Sequence, residues 1–374
     1  MSKITFLINS LSSGGAEKVL SVLVTELIRQ NYKIEIIFLE RNEFYSLPKE
    51  VKKTYLSNFD GTQSGILKLI YIPFHAYKLS SYIKKNNITI VQSHIFRANY
   101  INILAKFFGS GHKAQVVTAG RVSRYLEQGL LGKVNLFLIS HLYKRADLII
   151  SKAQGMQDDM LRLFNFTNKQ MIINNPYDIQ KIVTLSTELV DEFDFQENKK
   201  YLISVGRLIP LKRNHELIES LSKFDNNLEI LFLGDGIEKD NLQRLSVKLN
   251  IEKRVHFLGN VKNPYKFISK CDIFVSCSES EGFPNVIVEA MICGIPIVSS
   301  DCVSGPREIL APHKNNEFGM LFPVGNSSVM VQSIKLLLEN KNIAKKMAKN
   351  AKLRANDFAL NYILDKYKKV LEID

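Results

Sequence analysis

Glu281 and Glu289 stand eight positions apart in Ser280-Glu281-Gly282-Phe283-Pro284-Asn285-Val286-Ile287-Val288-Glu289-Ala290. Glu281 precedes a Gly-Phe-Pro turn, and Glu289 lies a turn or more inside the helix expected to follow. Pro284 favours the first helical position, and a helix start offers unpaired N–H groups to an anion. Carboxylates on both sides of such a start grip a polar ligand from two directions, so the segment reads as half of a sugar-phosphate site. A second set lies in Val205-Gly206-Arg207-Leu208-Ile209-Pro210-Leu211-Lys212. There a guanidinium fork and an ammonium point charge can both reach a diphosphate, although each alone also fits a solvated surface charge. In Leu11-Ser12-Ser13-Gly14-Gly15-Ala16-Glu17 the glycines let backbone N–H groups approach a phosphate. That loop is neither G-x-G-x-x-G nor a Walker loop, and a tight strand-to-helix turn explains it equally. His94 closes the apolar run Ile90-Val91-Gln92-Ser93-His94, placed either to face a ligand or to bond backbone.

These groups need strands that end together. Short apolar runs alternate with amphipathic ones, giving strand candidates at 3–9, 33–39, 88–92, 114–118, 147–151 and 170–174, then at 201–205, 228–233, 254–258, 272–276 and 296–299. Such alternation is the pattern of parallel sheets covered by helices, here two α/β units in succession. Gly206-Arg207, Gly234-Asp235-Gly236, Leu258-Gly259 and Glu281-Gly282 all follow strands of the second unit, and ligands bind at the carboxyl edge of such sheets. The expected domains are 1–177 and 200–356, joined by a linker within 178–199. A tail helix at 357–374 carries Phe358, Ile363, Leu364, Tyr367 and Leu371 on one side.

A chain of 374 residues suits two domains, and 45% hydrophobic with 23% charged residues is globular in composition. No apolar run reaches the roughly 18 residues a membrane span needs, because Lys68 and Lys78 interrupt residues 66–83. The opening residues carry too short an apolar stretch for a signal peptide and read as a first strand, which sets the expectation of a cytoplasmic protein. Cys271, Cys277, Cys293 and Cys302 form no C-x-x-C pair and have no histidine at metal-ligand spacing, so reduced core cysteines are expected.

The motifs G-R-L-x-x-x-K, F-L-G, E-G-F-P-N-x-x-x-E-A and an early G-G-A-E, in this chain at Gly206, Phe257, Glu281 and Gly14, resemble those of the retaining glycosyltransferases of family 4 across essentially the whole length. The resemblance implies the GT-B fold, in which two Rossmann-like parallel-sheet domains face a central cleft and a C-terminal helix crosses back to the first. It implies transfer of a hexose or N-acetylhexosamine from a nucleotide diphosphate sugar to a saccharide acceptor, lipid-linked through a polyprenyl diphosphate, in surface polysaccharide synthesis. Carried over residue by residue, Arg207 and Lys212 bind the diphosphate, with Gly206 beside them, and Glu289 binds the ribose hydroxyls. Glu281 holds the transferred sugar, a covalent role for it being the alternative. Amides around Gly282, Phe283, Pro284, Asn285 and Val286 face sugar and phosphate, Leu258 and Gly259 lie against the base, and Gly14 and Gly15 admit the diphosphate. His94 is expected close to the reacting sugar. Retention by same-face attack follows from the resemblance, and no Asp-x-Asp triplet occurs, so no metal or other cofactor is expected. Ser304-Gly305-Pro306-Arg307-Glu308 resembles the variant in enzymes that build bacterial surface glycans, which inclines the donor towards UDP; a proline-started helix explains the same residues. A nucleotide-sugar epimerase of this fold and a non-catalytic nucleotide-sugar binder are the rival classes.

Charge is unevenly spread over the total of +13: residues 1–177 hold 23 Lys and Arg against 11 Asp and Glu, and residues 178–374 hold 27 against 26. Between Asp60 and Glu127 there is no acidic residue, while Lys68, Lys78, Lys84, Lys85, Arg97, Lys106, Lys113, Arg121 and Arg124 fall in the gap. Within it Lys68, Tyr71, His75, Lys78, Tyr82 and Lys85 recur at helical spacing opposite Ile66, Leu69, Ile70, Phe74, Tyr77 and Ile83, with Pro73 kinking or starting the helix. With Phe107 and Phe108 beside Lys106, this resembles an interfacial surface for anionic lipid, the alternative being a solvated basic face. Peripheral attachment to the inner face of the cell membrane is the expectation. Nucleic acid is not expected as a partner, since no basic face interleaved with stacking aromatics occurs.

Overall fold

The computed structural model describes residues 4–12, 14–313 and 315–372. Lys3 of the expected first strand, Ser13 of the glycine loop, and residues 373–374 of the expected tail helix lie outside the described residues. Two compact units form, Met1–Tyr177 with Leu360–Asp374 and Asp178–Ala359.

The first unit is built on a parallel sheet of β1 (Ile4–Ile8), β2 (Ile34–Phe38), β3 (Lys52–Tyr55), β4 (Ile90–His94), β5 (Lys113–Val117), β6 (Leu148–Ser151) and β7 (Gln170–Ile172), in the order β3-β2-β1-β4-β5-β6-β7. Every residue of β1 and β2 is buried, as strands covered by helices on both faces must be, and the one carboxylate among them, Glu35, accepts hydrogen bonds from Thr54 and Tyr82. The order reverses between β1 and β4, where Ile8 pairs with His94. That switch point is where loops after two adjacent strands diverge and leave a crevice.

The second unit repeats the plan with β8 (Lys200–Val205), β9 (Leu228–Leu233), β10 (Val255–Gly259), β11 (Ile273–Ser276), β12 (Ile297–Ser300) and β13 (Met320–Phe322), ordered β10-β9-β8-β11-β12-β13. Its switch point lies between β8 and β11, directly below the loops that carry Arg207, Lys212 and Glu281. Two edge strands, β3 and β13, were not expected: β3 is Lys-Lys-Thr-Tyr, exposed to half-buried, and β13 has three residues. A short, polar strand such as β3 is how open sheets blunt their margins and leaves no apolar run to read, while β13, Met-Leu-Phe, is apolar but only three residues long.

Residues 178–199 do not form a free linker. Asp178 caps the helix Ile179–Ser186, and Ser186 O accepts a hydrogen bond from Ser269 Oγ at 2.7 Å, so this segment is built into the second unit. At the other end, the helix Leu360–Leu371 buries Ile363, Leu364 and Tyr367 in the core of the first unit. Phe358, expected on that helix, instead packs its ring on Phe283 of the second unit at 5.6 Å. Among the described residues no helix is long and apolar enough to cross a membrane.

Candidate functional site

Three loops of the second unit are locked backbone to backbone. The Leu208 N–H donates to Asp235 O at 2.9 Å, and the Gly234 N–H donates to Gly259 O at 2.7 Å. Gly234 has φ +131°, and a Cβ there would stand 2.0 Å from Gly206 O; one on Gly236 would stand 2.2 Å from Leu208 O. The glycines let the loops after β8 and β9 touch, which fixes where Gly206 and Arg207 emerge. A short 3₁₀ turn, Pro210–Lys212, then brings Lys212 back over β8, its Nζ 2.5 Å from Glu281 Oε1. Its ammonium also lies beside Gly206, where a Cβ would meet it at 3.9 Å. Lys212, Glu281 and Gly206 therefore meet at the switch point, both charged side chains largely shielded. Arg207 is exposed and makes no ion pair among the described residues.

The Glu281 loop is braced from behind. Ser304 Oγ donates to Gly282 O at 2.8 Å. Gly305, at φ +90°, lies so close that a Cβ would fall 2.3 Å from Pro284 Cδ and 2.9 Å from Gly282 O. Pro284 occupies the cap position and the helix runs Asn285–Cys293, one residue later than proline preference suggested. Phe283 turns its ring inward, so its amide and not its ring belongs to the loop surface. Asn285 and Val286, half-buried, form the first turn. Glu289, one turn in, is buried with Tyr265 Oη 3.5 Å from its Oε1. Leu258 and Gly259 close β10, where the ladder shifts register and Gly259 takes φ +69°.

In the first unit, Gly14 caps and Gly15 begins the helix Gly15–Arg29. The carboxylate of Glu17 folds back over Gly14, where a Cβ would stand 2.2 Å from Oε2, and accepts from Ser12 Oγ at 3.0 Å. A carboxylate thus sits at the positive end of this helix. The loop ends of β1, β2 and β4 and the helices Gly65–Ile70 and Gly129–Leu142 line an open cavity of 470 Å³ of mixed character, with Asn9, Glu17, Glu40, Lys68 and Arg97 beside Ile95 and Leu131. On its wall Glu40 bridges Lys68 at 3.0 Å and Arg97. Ile95 has φ +73° and ψ 144°, a conformation that a β-branched residue adopts only under constraint, at a cost of about 1–3 kcal/mol.

His94, the residue before this kink, is buried against the edge of Phe6 at 5.9 Å, and its Nε2 has no hydrogen-bond partner among the described residues. Burial, helped by the positive Lys152, holds its pKa well below the ordinary value, so the ring is neutral at physiological pH. A neutral imidazole with an unsatisfied nitrogen is suited to a ligand hydroxyl. His94→Ala is expected to lower kcat about tenfold or more, as measured in single-turnover assays at a temperature well below its Tm, which the cavity left by the buried ring lowers; a wild-type kcat removes it from the reaction.

Lys152, just past β6, is a buried ammonium whose Nζ donates to the Tyr367 hydroxyl and lies over that ring. Burial pushes its pKa down to about 7. Because the unfolded chain keeps an ordinary lysine near 10.4, it binds the extra proton between about pH 7 and 10.4, and stability rises with pH across that window. Below about 7 both states are charged and the full burial cost is present. Lys152→Met should therefore raise the Tm most at pH 6 and least at pH 9.5, read by thermal melts; a pH-independent difference contradicts the buried charge.

Lys152 did not stand out in the sequence, and the segments holding Glu17, Ser304 and Gly305 did so without the contacts these residues make across the fold. The glycine of G-G-A-E and the turn before Pro306 were the available hints. Of the nine cations in the acid-free stretch, Lys68, Arg97, Lys106, Lys113 and Arg121 are paired with Glu40, Asp147, Glu372 and Asp159. On the helical stretch His75 is buried and Tyr82 bonds Glu35, while Tyr71, Lys78 and Lys85 are exposed together with Ile66, Ile70, Phe74 and Tyr77. Pro73 starts the second of two helices, Gly65–Ile70 and Ile72–Lys85. The core takes the side with Ile72, His75, Ala76, Leu79 and Ile83, which leaves Phe74 and Tyr77 outside. The four cysteines are free, and among the described residues no three His, Cys, Asp or Glu side chains cluster as metal ligands.

Comparison with known proteins matches residues 13–181 to "Glycosyltransferase Family 4" and residues 186–354 to "Glycosyl transferases group 1". The chain is 32% identical, over 97% of its length and 100% of the relative's, to the N-acetylgalactosamine-N,N'-diacetylbacillosaminyl-diphospho-undecaprenol 4-alpha-N-acetylgalactosaminyltransferase of Campylobacter jejuni. It is 26% identical to the lipopolysaccharide 1,6-galactosyltransferase of Escherichia coli, over 87% of this chain and 86% of that one. In fold it matches HepE of Anabaena, solved in complex with UDP, with TM-score 0.77, 21% identity and all of both chains covered. A sucrose-phosphate synthase of Thermosynechococcus elongatus matches with TM-score 0.85 at 16% identity, covering 100% of this chain and 98% of that one.

Proposed function

This protein belongs to the family 4 glycosyltransferases, hexosyltransferases of GT-B fold, and we propose that it moves a hexose or N-acetylhexosamine from UDP to a lipid-diphosphate-linked saccharide during surface glycan synthesis. The observation that carries the donor assignment is the Lys212–Glu281 pair at the β8/β11 switch point, with the unpaired Arg207 beside it and the start of the helix Asn285–Cys293 above. The diphosphate displaces Glu281 from Lys212 and takes the ammonium, the Arg207 fork and the helix-start amides as its partners, which disperse charge as it leaves. Glu281, released, accepts from hydroxyls of the transferred sugar, and Glu289 from the ribose. The acceptor oxygen bonds to the anomeric carbon on the face the diphosphate leaves, and the acceptor proton passes to the departing phosphate oxygen, giving retention. No metal enters this scheme. The relatives' names support the acceptor class, and the open cavity of the first unit, lined by Glu40, Lys68 and Arg97 with His94 nearby in the chain, supports placing the saccharide there.

Membrane attachment is proposed through the first unit. Ile66, Ile70, Phe74 and Tyr77 stand exposed beside Phe107 and Phe108, and Lys84 and Lys85 have no ion-pair partner among the described residues. Apolar side chains rimmed by lysines are the composition of an interfacial helix. Ile70→Ser with Phe74→Ser should cut cosedimentation with phosphatidylglycerol vesicles about tenfold, even in salt that screens the lysines; unchanged binding returns the face to solvent.

The test of function is purified protein with a panel of nucleotide sugars, with and without a membrane extract as acceptor source. Nucleotide released only when UDP-sugar and extract are both present is the expected result. A new sugar isomer without acceptor overturns it in favour of epimerisation, and donor binding without turnover leaves a binding protein.

A further inference from the structure

On the opposite edge of the second sheet, where β8, β11 and β12 begin, lies a cavity of 660 Å³ that the transfer reaction does not use. Lys200 opens β8 at its floor, and Lys341, Lys345, Lys349 and Lys352 line one wall from the helix Lys341–Arg354. Spacings of four, four and three place those lysines on one face, a row about 16 Å long at 1.5 Å per residue. The helix contains no acidic residue, and none of these lysines makes an ion pair among the described residues. Lys200 Nζ donates to Leu338 O at 3.3 Å.

Local negative charge does not explain the row. The carboxyl ends of the helices Asn285–Cys293 and Ser327–Glu339 border the cavity, each worth about half a negative charge. Asp272 adds one more, although its carboxylate already accepts the Tyr201 N–H at 2.7 Å. These offset about two of the five positive charges and leave a surplus of about three in a concave, partly apolar recess.

We propose that this recess binds an extended phosphoanion, several phosphates in a row, with the four helix lysines each serving as a point charge. A recess with a line of ammonium groups along one wall suits a soluble chain such as polyphosphate, whereas a planar lipid surface reaches only its rim. The site is independent of the donor edge, and the test keeps the two apart.

Full-length protein carrying Lys212→Ala, which weakens phosphate binding at the donor edge, is titrated calorimetrically with sodium tripolyphosphate at low salt. A saturable one-to-one isotherm is expected. Adding Lys345→Glu and Lys349→Glu should weaken it at least tenfold, with Lys345→Gln and Lys349→Gln intermediate and circular dichroism unchanged in both. Absence of binding, or equal affinity in the charge-reversed protein, overturns the site. Loss of phosphatidylglycerol vesicle binding in the reversed protein, without any tripolyphosphate binding to its parent, overturns it in favour of lipid.

Discussion

Lys212→Ala lowers kcat/KM for the donor about 10²- to 10³-fold, the cost usual for losing one preorganised group that stabilises leaving-group charge. Two effects add. The ammonium that would meet the diphosphate is gone, and Glu281, which held it at 2.5 Å, is left as an uncompensated carboxylate in the path of an anion. That second effect separates the variant from loss of a remote lysine: Lys212→Ala combined with Glu281→Gln should recover donor affinity, though not turnover, because repulsion is relieved while the cation stays absent. The fold survives, since Lys212 is partly exposed and the turn Pro210–Lys212 is held by the backbone bond from the Lys212 N–H to Ile209 O. Wild-type kcat/KM in the single variant, measured with matched circular dichroism, would remove the donor site from this edge.

Gly305→Ala is expected to be nearly as damaging without touching a charged group. At φ +90° a Cβ costs about 1–3 kcal/mol before any contact is counted. It then meets Pro284 Cδ at 2.3 Å and the Gly282 carbonyl at 2.9 Å, neither of which is the end of a flexible side chain. The loop carrying Glu281 must shift, and a displacement of about 1 Å in a positioning element is worth on the order of 100-fold in rate. The Tm should fall by roughly 5–10 °C in thermal melts. Ser304→Ala is the graded comparison: it removes only the hydrogen bond to Gly282 O, about 1 kcal/mol, and should keep most activity. If Gly305→Ala kept wild-type kcat/KM, the brace would have no part in placing Glu281.

The strands were legible because a doubly covered parallel strand is mostly apolar, as β1, β2 and β9 are despite one buried polar residue in each, Thr5, Glu35 and Glu229. Sequence also placed the Lys212 and Glu281 motifs just after strands of one parallel sheet, whereas the adjacency of β8 and β11 and the ion pair came from the fold. Sequence failed where a helix face had to be assigned. Periodicity divided Ile72–Lys85 along a line the structure does not follow: the buried side takes His75 from one set and Ile83 from the other, and only tertiary packing put Phe74 outside. Charge was misleading for a related reason: Glu40, Asp147, Asp159 and Glu372 lie outside the acid-free stretch in sequence and beside it in space. Lys152 shows the limit most plainly. A lysine after a strand reads as solvated, and its burial depends on Tyr367, 215 positions later.

That pairing bears on the order in which the protein can be made. Because residues 360–372 complete the core of the first unit, the whole of Asp178–Ala359 is an insertion in it, and the chain passes between units twice. A ribosome that has finished residue 177 has released a unit with the Tyr367 and Ile363 side of its core still open to water, and about 180 further residues, on the order of ten seconds or more of synthesis, precede the helix that seals it. The second unit, continuous in sequence, is free to fold first although it is translated later.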